Sequence, residues 1–306
     1  MEQKTLPLVT IGIPTYNGGH RLFRPLKSIW AQNYPNLEVV ISDNCSTDDT
    51  KNIVGNICKE HPQIKYVRQD KNIGQIPNYY FLIQAAKGKY FMWLADDDFL
   101  EPDFLLRAVD FMETHDDYSL ASGRIQYWHD AIPDALEHGF TFEENSPGLR
   151  VAKFYSRVIY GGLMHGLIRR ELTRNVTINY VIGNDYHFVA NLVYLGKVKN
   201  FEFTGYNKNF GGVSRSFQQY AKHMGESWIV GHFPHFKIAK DAFIEVMHRS
   251  AVFSSRSFLS RVTLGVACYF GVLYSYYGRL SVGARVRNHV IAPISSAWKK
   301  AAVKGS

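Results

Sequence analysis

The stretch "YFMWLADDDFLEPDF", residues 90–104, places an apolar run directly before three consecutive aspartates. A short, continuous apolar run is typical of a strand that is buried on both faces of a sheet. Asp96, Asp97 and Asp98 follow where that strand would end, and adjacent carboxylates repel one another and lose hydration when partly buried. The pattern indicates either a solvated acidic start of the next helix or a site for a divalent cation. Three acids in a row favour the cation.

The residues around this stretch alternate between strand-like and helix-like patterns. The strand-like runs are apolar and rich in β-branched residues, at 8–14, 37–43, 64–69 and 89–95. Helical spacing or capping signals fill the segments that follow them, at 20–32, 46–60, 76–88 and 101–115. This order predicts an α/β fold with a mostly parallel sheet and helices on both faces.

Polar residues gather where these strands end. Thr15, Tyr16 and Asn17 follow the first strand, Asp43 closes the second, and the aspartate triplet closes the fourth. Ligands of parallel sheets bind beyond the carboxyl ends of the strands. The chain has neither a GxxxxGK[ST] nor a GxGxxG phosphate loop. Any phosphate would therefore be bound through a metal ion, since Mg²⁺ typically takes one or two carboxylates together with phosphate oxygens.

The second half of the chain is less regular. Residues 125–150 are expected to be irregular, and 161–199 combine a glycine-rich stretch with one helix-like run. From about residue 236 the pattern predicts two or three helices. Three scattered cysteines indicate a reducing compartment, and the N-terminus has no signal-peptide pattern, so we expect a cytoplasmic protein.

The last part of the chain is basic. The whole protein carries a net charge of +8, yet no Asp or Glu follows Glu245, while nine Lys and Arg residues do. The apolar run 262–277 is shorter than the roughly 20 residues that span a bilayer. Basic and aromatic residues beside an apolar helix are typical of a segment on an anionic membrane surface. The alternative is a core helix with a solvated basic face; nothing indicates nucleic-acid binding.

Four motifs in order resemble the family 2 glycosyltransferases, which have the GT-A fold. They are "IPTYNGG", "VVISDNCSTDDT", "DKNIGQIPN" and "GKYFMWLADDDFLEPD", starting at residues 13, 39, 70 and 88. The resemblance covers roughly residues 7–215. It implies a GT-A catalytic domain over 1–215 with a Rossmann-like nucleotide-binding sheet, followed by a helical region over 216–306.

The resemblance also implies a role for individual residues on the donor side. A nucleotide-sugar would be bound with Mn²⁺ or Mg²⁺, and Ala95 replaces the first acid of the family's commonest Asp-X-Asp-Asp form. Thr15 and Tyr16 would line the base pocket and Asp43 would accept a hydrogen bond from the base. Arg68 and Asn72 would border the nucleotide. Asp96 would approach the ribose, and Asp97 and Asp98 would bind the metal.

A second acidic position lies in "VIGNDYHFVANLVYLGKV", residues 181–198. This segment resembles the family's Glu-Asp motif before a helix, with Asn184 in place of the Glu. The resemblance implies that Asp185 is the catalytic base that deprotonates the acceptor hydroxyl. Asp185 as an ordinary helix cap is the alternative, and His187 is a rival base that would face another direction on a helix.

These observations predict an inverting glycosyltransferase. It would move a sugar from a UDP-linked donor to a lipid-linked saccharide in surface-polysaccharide assembly, as a peripheral protein on the inner face of the membrane. A non-catalytic nucleotide-sugar-binding scaffold at the membrane is the alternative, and homo-oligomerisation is left open.

Overall fold

The computed structural model describes residues 6–129, 132–157, 161–209 and 217–278. Four parallel strands form its N-terminal half, in the order β3-β2-β1-β4. They are β1 Val9–Thr15, β2 Leu37–Asp43, β3 Ile64–Arg68 and β4 Tyr90–Trp93. The helices between them are α1 Phe23–Trp30, α2 Thr50–Glu60 and α3 Gln75–Ala85. The predicted parallel α/β arrangement is confirmed for this half.

The strands are apolar on both sides because the sheet lies between two hydrophobic layers. Val39 and Ile41 of β2 face one layer, which contains Leu26 of α1 and Val54 of α2. Val40 faces the opposite layer together with Leu82 of α3. Successive side chains of a strand point to opposite faces, so a strand covered by helices on both sides contains a continuous apolar run.

The remaining strands extend the sheet beyond β4 with mixed direction, to the order β3-β2-β1-β4-β8-β6-β9-β5. The additional strands are β5 Phe99–Leu100, β6 Tyr118–His129, β7 Ile132–Glu137, β8 Leu167–Arg169 and β9 Lys197–Asn209. The helices of this part are α4 Phe104–Thr114, α5 Pro147–Arg157 and α6 Asn184–Leu195. β6 and β9 run parallel to each other, whereas β8 is antiparallel to its neighbours.

The expectation that residues 125–150 are irregular is wrong. β6 continues to His129 and pairs with β7 as an antiparallel hairpin, and α5 begins at Pro147. β7 pairs only along one edge and is exposed at residues 132–136. Because one side of this strand does not contact the core, its sequence lacks the alternation that marks a half-buried strand.

Helices of the C-terminal region pack directly on the sheet domain. They are α7 Phe217–His223, α8 Trp228–His232, α9 Pro234–Ile244 and α10 Phe258–Leu273. Ile238 of α9 and Cys268 of α10 belong to the same hydrophobic cluster as Trp93 of β4. Division of the chain at residue 215 stays a prediction.

Helix α6 is fixed at its C-terminal end by a buried arginine of α5. Arg150 Nε donates to the Val193 carbonyl over 2.8 Å, and its Nη2 donates to the Tyr194 carbonyl over 2.9 Å. The last carbonyls of a helix have no partner within the helix, so the guanidinium satisfies groups that burial would leave unpaired.

We expect Arg150→Met to lower the free energy of unfolding by about 2–3 kcal/mol, because it leaves buried carbonyls without a donor. Chemical denaturation followed by circular dichroism measures this change. Lys153→Met on the same helix is the control; it removes a surface ion pair with Glu144 and should cost under about 1 kcal/mol. Equal losses in both variants would contradict the capping role.

Candidate active site

Three of the predicted nucleotide-contacting residues end neighbouring strands at the same level. Thr15 of β1 is paired with Asp43 of β2, and Asp43 is paired with Arg68 of β3. The side chains that precede them fill the two cores, so the register is fixed by burial. The structure therefore brings these three residues together at the carboxyl edge of the sheet.

Asp43 is fully buried and both of its carboxylate oxygens have partners. Oδ1 accepts from the backbone N–H of Ser46 at 2.8 Å and also from the Ser46 hydroxyl. Oδ2 accepts from Tyr66 Oη at 2.6 Å and lies 3.5 Å from Arg68 Nε. Burial and the hydrogen bond to Asp43 raise the pKa of Tyr66 above its usual range. Asp43 thus closes the turn after β2, and its role in a base pocket stays a prediction.

The other predicted pocket residues differ in exposure. Tyr16 is 44% exposed, so its ring is accessible from solvent. Asn72 is connected to the loop after β2, because its Oδ1 accepts from Asn44 Nδ2 at 2.9 Å. Asn44 Oδ1 in turn accepts from the Ile73 N–H at 2.8 Å, which holds the two loops side by side.

Asp96 links the acidic triplet to the first strand. Its Oδ2 accepts from Thr15 Oγ1 at 2.6 Å and lies 3.1 Å from Arg21 Nη2, a cation that the sequence did not single out. The backbone of Gly18 passes close to this contact: a Cβ there would lie 2.1 Å from Thr15 Oγ1. Only a glycine leaves room for the Thr15–Asp96 hydrogen bond.

Asp98 is buried and held by β9. Its Oδ2 accepts from Tyr206 Oη at 2.7 Å and its Oδ1 accepts from the Asn209 N–H at 2.8 Å. Burial, followed by the negative charge of Asp97, raises the pKa of Asp98 to about 6. A metal ligand at Asp98 stays a prediction, and these two contacts also give it a role in joining the acidic turn to β9.

Asp97 is half-buried, and burial together with the charge of Asp96 raises its pKa, which Arg21 and Lys208 partly oppose. A carboxylate destabilised by its neighbours in this way is relieved by a divalent cation. Within the described ranges no group of three His, Cys, Asp or Glu side chains forms a ready metal cage. A Mg²⁺ or Mn²⁺ ion that shares phosphate oxygens needs only one or two carboxylates, so Asp97 fits that kind of site.

Asp185 lies in the first turn of α6, as predicted, after Gly183, whose φ of +78° starts the helix. Burial raises the pKa of Asp185, while the Tyr186 N–H and Lys208 act in the opposite direction. Gly161 packs against the carboxylate: a Cβ on Gly161 would lie 1.9 Å from Asp185 Oδ2. The rival base His187 is directed elsewhere and is buried, with Nδ1 hydrogen-bonded to Tyr155 Oη at 2.8 Å.

Two further charged residues lie at this site. Glu137, at the end of β7, accepts from Tyr127 Oη at 2.7 Å, and burial and the charge of Asp185 contribute to its raised pKa. Lys208 of β9 lowers the pKa of Glu137, Asp185 and both of the last two triplet aspartates. No sequence motif marks either residue, because only the pairing of β6 with β7 and β9 brings them to the site.

Comparison with known proteins places the chain in a family. The model of glycosyl transferase family 2 matches residues 10–172, more than half of the chain. The protein therefore belongs to glycosyl transferase family 2.

Individual relatives are similar over shorter stretches. Chondroitin synthase of Escherichia coli is 39% identical over 119 residues, which are 39% of this chain and 17% of that protein. The GalNAc(5)-diNAcBac-PP-undecaprenol beta-1,3-glucosyltransferase of Campylobacter jejuni is 35% identical over 94 residues, 30% of each chain. The chain thus spans under a third of the length of these two relatives.

Solved structures share the fold over nearly the whole chain. Staphylococcus aureus TarS 1-349 in complex with UDP-GlcNAc has a TM-score of 0.63 at 16% identity and covers 92% of this chain and 76% of its own. Mannosyltransferase PcManGT from Pyrobaculum calidifontis, in complex with GDP-Man and Mn²⁺, has a TM-score of 0.52 at 17% identity, covering 99% and 82%. The predicted GT-A fold with a C-terminal helical region is confirmed.

We expect Gly161→Ala to reduce glycosyl transfer about 100-fold without changing nucleotide binding, because the new Cβ displaces the Asp185 carboxylate. Turnover and UDP affinity, measured on the same preparation, separate the two effects. Gly55→Ala in α2 is the matched control, since nothing lies within 4 Å of a Cβ there. Full activity of Gly161→Ala would show that Asp185 does not need its observed position.

Proposed function

We propose that the protein is an inverting glycosyltransferase that moves a sugar from a nucleotide-diphosphate donor, a UDP-sugar, to a saccharide acceptor. One set of contacts carries this proposal: Tyr206 donates to Asp98 and stacks on His165, and the turn that ends at His165 is preceded by Gly161, which packs against Asp185. These contacts support one site that the donor-side acids share with the candidate base, as a transfer between two bound sugars requires.

The donor would be bound at the carboxyl edge of β1 to β3. The Tyr16 ring is exposed beside buried Thr15 and offers a stacking surface for the base. Arg68 and Asn72 would border the nucleotide at the same edge. Asp43 would accept a hydrogen bond from the base N–H. The TarS complex with UDP-GlcNAc supports a UDP-sugar at this fold.

Metal dependence belongs to the proposal. Asp97 would hold Mn²⁺ or Mg²⁺ with Asp98, and Asp96 would approach the ribose while held by Thr15 and Arg21. When bound, the ion would supply positive charge for the diphosphate. Mn²⁺ in the complex of the Pyrobaculum mannosyltransferase supports this choice of ion.

In the transfer step the acceptor hydroxyl oxygen attacks the anomeric carbon from the face opposite the nucleotide. The bond from this carbon to the diphosphate oxygen breaks, its electron pair leaves with the nucleoside diphosphate, and Asp185 takes the hydroxyl proton. Burial raises the pKa of Asp185, which makes its ionised form a stronger base. Because the ionised form is required, turnover should fall as the pH drops through this raised pKa.

The acceptor is proposed to be a lipid-linked saccharide in surface-polysaccharide assembly. The undecaprenol-linked substrate named for the Campylobacter relative supports this class, as does the putative teichuronic acid biosynthesis glycosyltransferase TuaG of Bacillus subtilis, 31% identical over 106 residues. The non-catalytic scaffold is not favoured, because a scaffold needs no half-buried carboxylate facing the donor.

We expect Asp97→Asn to remove Mn²⁺-dependent UDP binding, and Asp185→Asn to keep UDP binding while transfer falls at least about 1,000-fold. Calorimetric titration with UDP measures the first effect, and release of UDP from the donor in the presence of acceptor measures the second. Asp134→Asn on exposed strand β7 is the control. Wild-type turnover in both active-site variants would refute the proposed roles.

We further propose that the C-terminal region attaches the enzyme to the inner face of the membrane. Phe258–Gly278 is a helical stretch that is long and apolar enough to cross a bilayer by length and composition. It is longer than the apolar run in the sequence because the helix begins at Phe258 and ends with a π-helical turn. Its buried face, which includes Leu264 and Cys268, packs in the protein core. This packing favours a helix that lies on the membrane surface over one that crosses the membrane.

The opposite face of this helix is apolar and exposed. Phe258, Val266, Phe270 and Tyr274 are exposed and lie on the half of the helix that does not pack in the core. The basic residues around and beyond this helix would add attraction to an anionic leaflet.

We expect the double variant Phe270→Ala, Tyr274→Ala to bind phosphatidylglycerol vesicles about tenfold more weakly than the wild type, because two exposed aromatic anchors of one helix are lost. Co-sedimentation measures the bound fraction, with phosphatidylcholine vesicles as the neutral comparison. Ile132→Ala, at an equally exposed apolar side chain on β7, should bind as the wild type does. Unchanged binding of the double variant would remove this surface from the proposal.

A further inference from the structure

Lys208 lies at the end of β9 that is hydrogen-bonded to Asp98, the last residue of the aspartate triplet. Successive residues of a strand alternate between the two faces, so Lys208 projects to the same side as Tyr206. Tyr206 Oη donates to Asp98 Oδ2, and the next residue after Lys208, Asn209, donates its N–H to Asp98 Oδ1. A side chain before Lys208 and a backbone N–H after it therefore hold this end of β9 against the acidic turn.

The ammonium group of Lys208 is not committed to any one carboxylate. Among the residues that the structure describes, it forms no ion pair and no hydrogen bond. Its positive charge nevertheless acts to lower the pKa of four carboxylates, those of Asp97, Asp98, Glu137 and Asp185. By contrast, Lys197 and Lys199 at the other end of β9 form ion pairs with Asp117 and Glu143. Lys208 is thus a half-buried cation in an acidic site with its donors available.

The position of Lys208 indicates which part of the proposed donor it would bind. The acidic turn is on the donor side and Asp185 is on the acceptor side, so the anomeric carbon must lie between them during transfer. The phosphate attached to that carbon is the outer, or β, phosphate of the nucleoside diphosphate. It gains negative charge as the bond to the sugar breaks, and a fixed cation beside it stabilises that charge.

We propose, on the basis of the proposed function, that Lys208 binds the β-phosphate of the donor and of the leaving nucleoside diphosphate. The contact does not act through the metal. The Lys208 ammonium group repels a bound cation, so its removal would strengthen the attraction between Asp97 and Mn²⁺. Loss of nucleotide binding in a Lys208 variant therefore cannot be transmitted through a weaker metal site.

Calorimetric titration of the full-length protein with UDP and with UMP, in Mn²⁺ and in EDTA, tests the proposal. Lys208→Gln should raise the Kd of UDP about tenfold under both conditions, the size expected for one charge-assisted hydrogen bond, and leave the Kd of UMP within twofold. Lys208→Arg should recover most of the UDP affinity, since it keeps the charge. Lys199→Gln on the same strand is the matched control and should bind both nucleotides as the wild type does.

Two results would overturn the proposal: an unchanged Kd for UDP in Lys208→Gln, or equal weakening of UDP and UMP, which would indicate a disturbed pocket. These results are distinguishable from failure of the proposed function itself. If the wild-type protein binds no UDP, the donor assignment fails and this inference fails with it. If the wild type binds UDP and Lys208→Gln binds it equally well, only the role of Lys208 is lost.

Discussion

The parallel register of β1, β2 and β3 is the constraint on which the site depends. It holds Thr15, Asp43 and Arg68 in one row, and the hydrophobic cores on both faces of the sheet fix it. A slip of one residue would exchange the two faces of a strand and bury polar groups in the wrong layer. The Thr15–Asp96 hydrogen bond then ties this row to the end of β4. The positions of the polar groups therefore follow from the packing of apolar ones.

The same arrangement collects negative charge, and the fold compensates it unevenly. Arg21 contacts Asp96 and Arg68 lies beside Asp43, so these two acids have local partners. Asp98 accepts hydrogen bonds from two neutral donors only. Its pKa is raised to about 6 in the folded protein. The folded state therefore loses stability as the pH rises from the usual pKa of an unfolded carboxyl group through this value. Such uncompensated charge is characteristic of sites that bind charged ligands.

The sequence alone predicted those parts of the fold and of the site that depend on local residue patterns. The buried strands appear as apolar runs, and the polar residues that follow them lie next to one another in the chain or on neighbouring strands. Glu137 could not be found in this way, since β7 is exposed along most of its length. Lys208 could not be found either, because the pairing of β9 with β6, from a distant part of the chain, decides which of its side chains enter the site. Arg21 is near the motif "IPTYNGG", yet its ion pair spans 75 residues of sequence.

The core that the C-terminal helices share with the sheet has a practical consequence for handling the protein. Trp93 of β4 and Phe188 of α6 pack in one cluster with residues of α9 and α10. A fragment cut at the end of the family motif region would expose this apolar surface to water and would be prone to aggregate. Chimaeras between relatives should therefore exchange loops within the complete scaffold, because the C-terminal helices complete the hydrophobic core of the sheet domain.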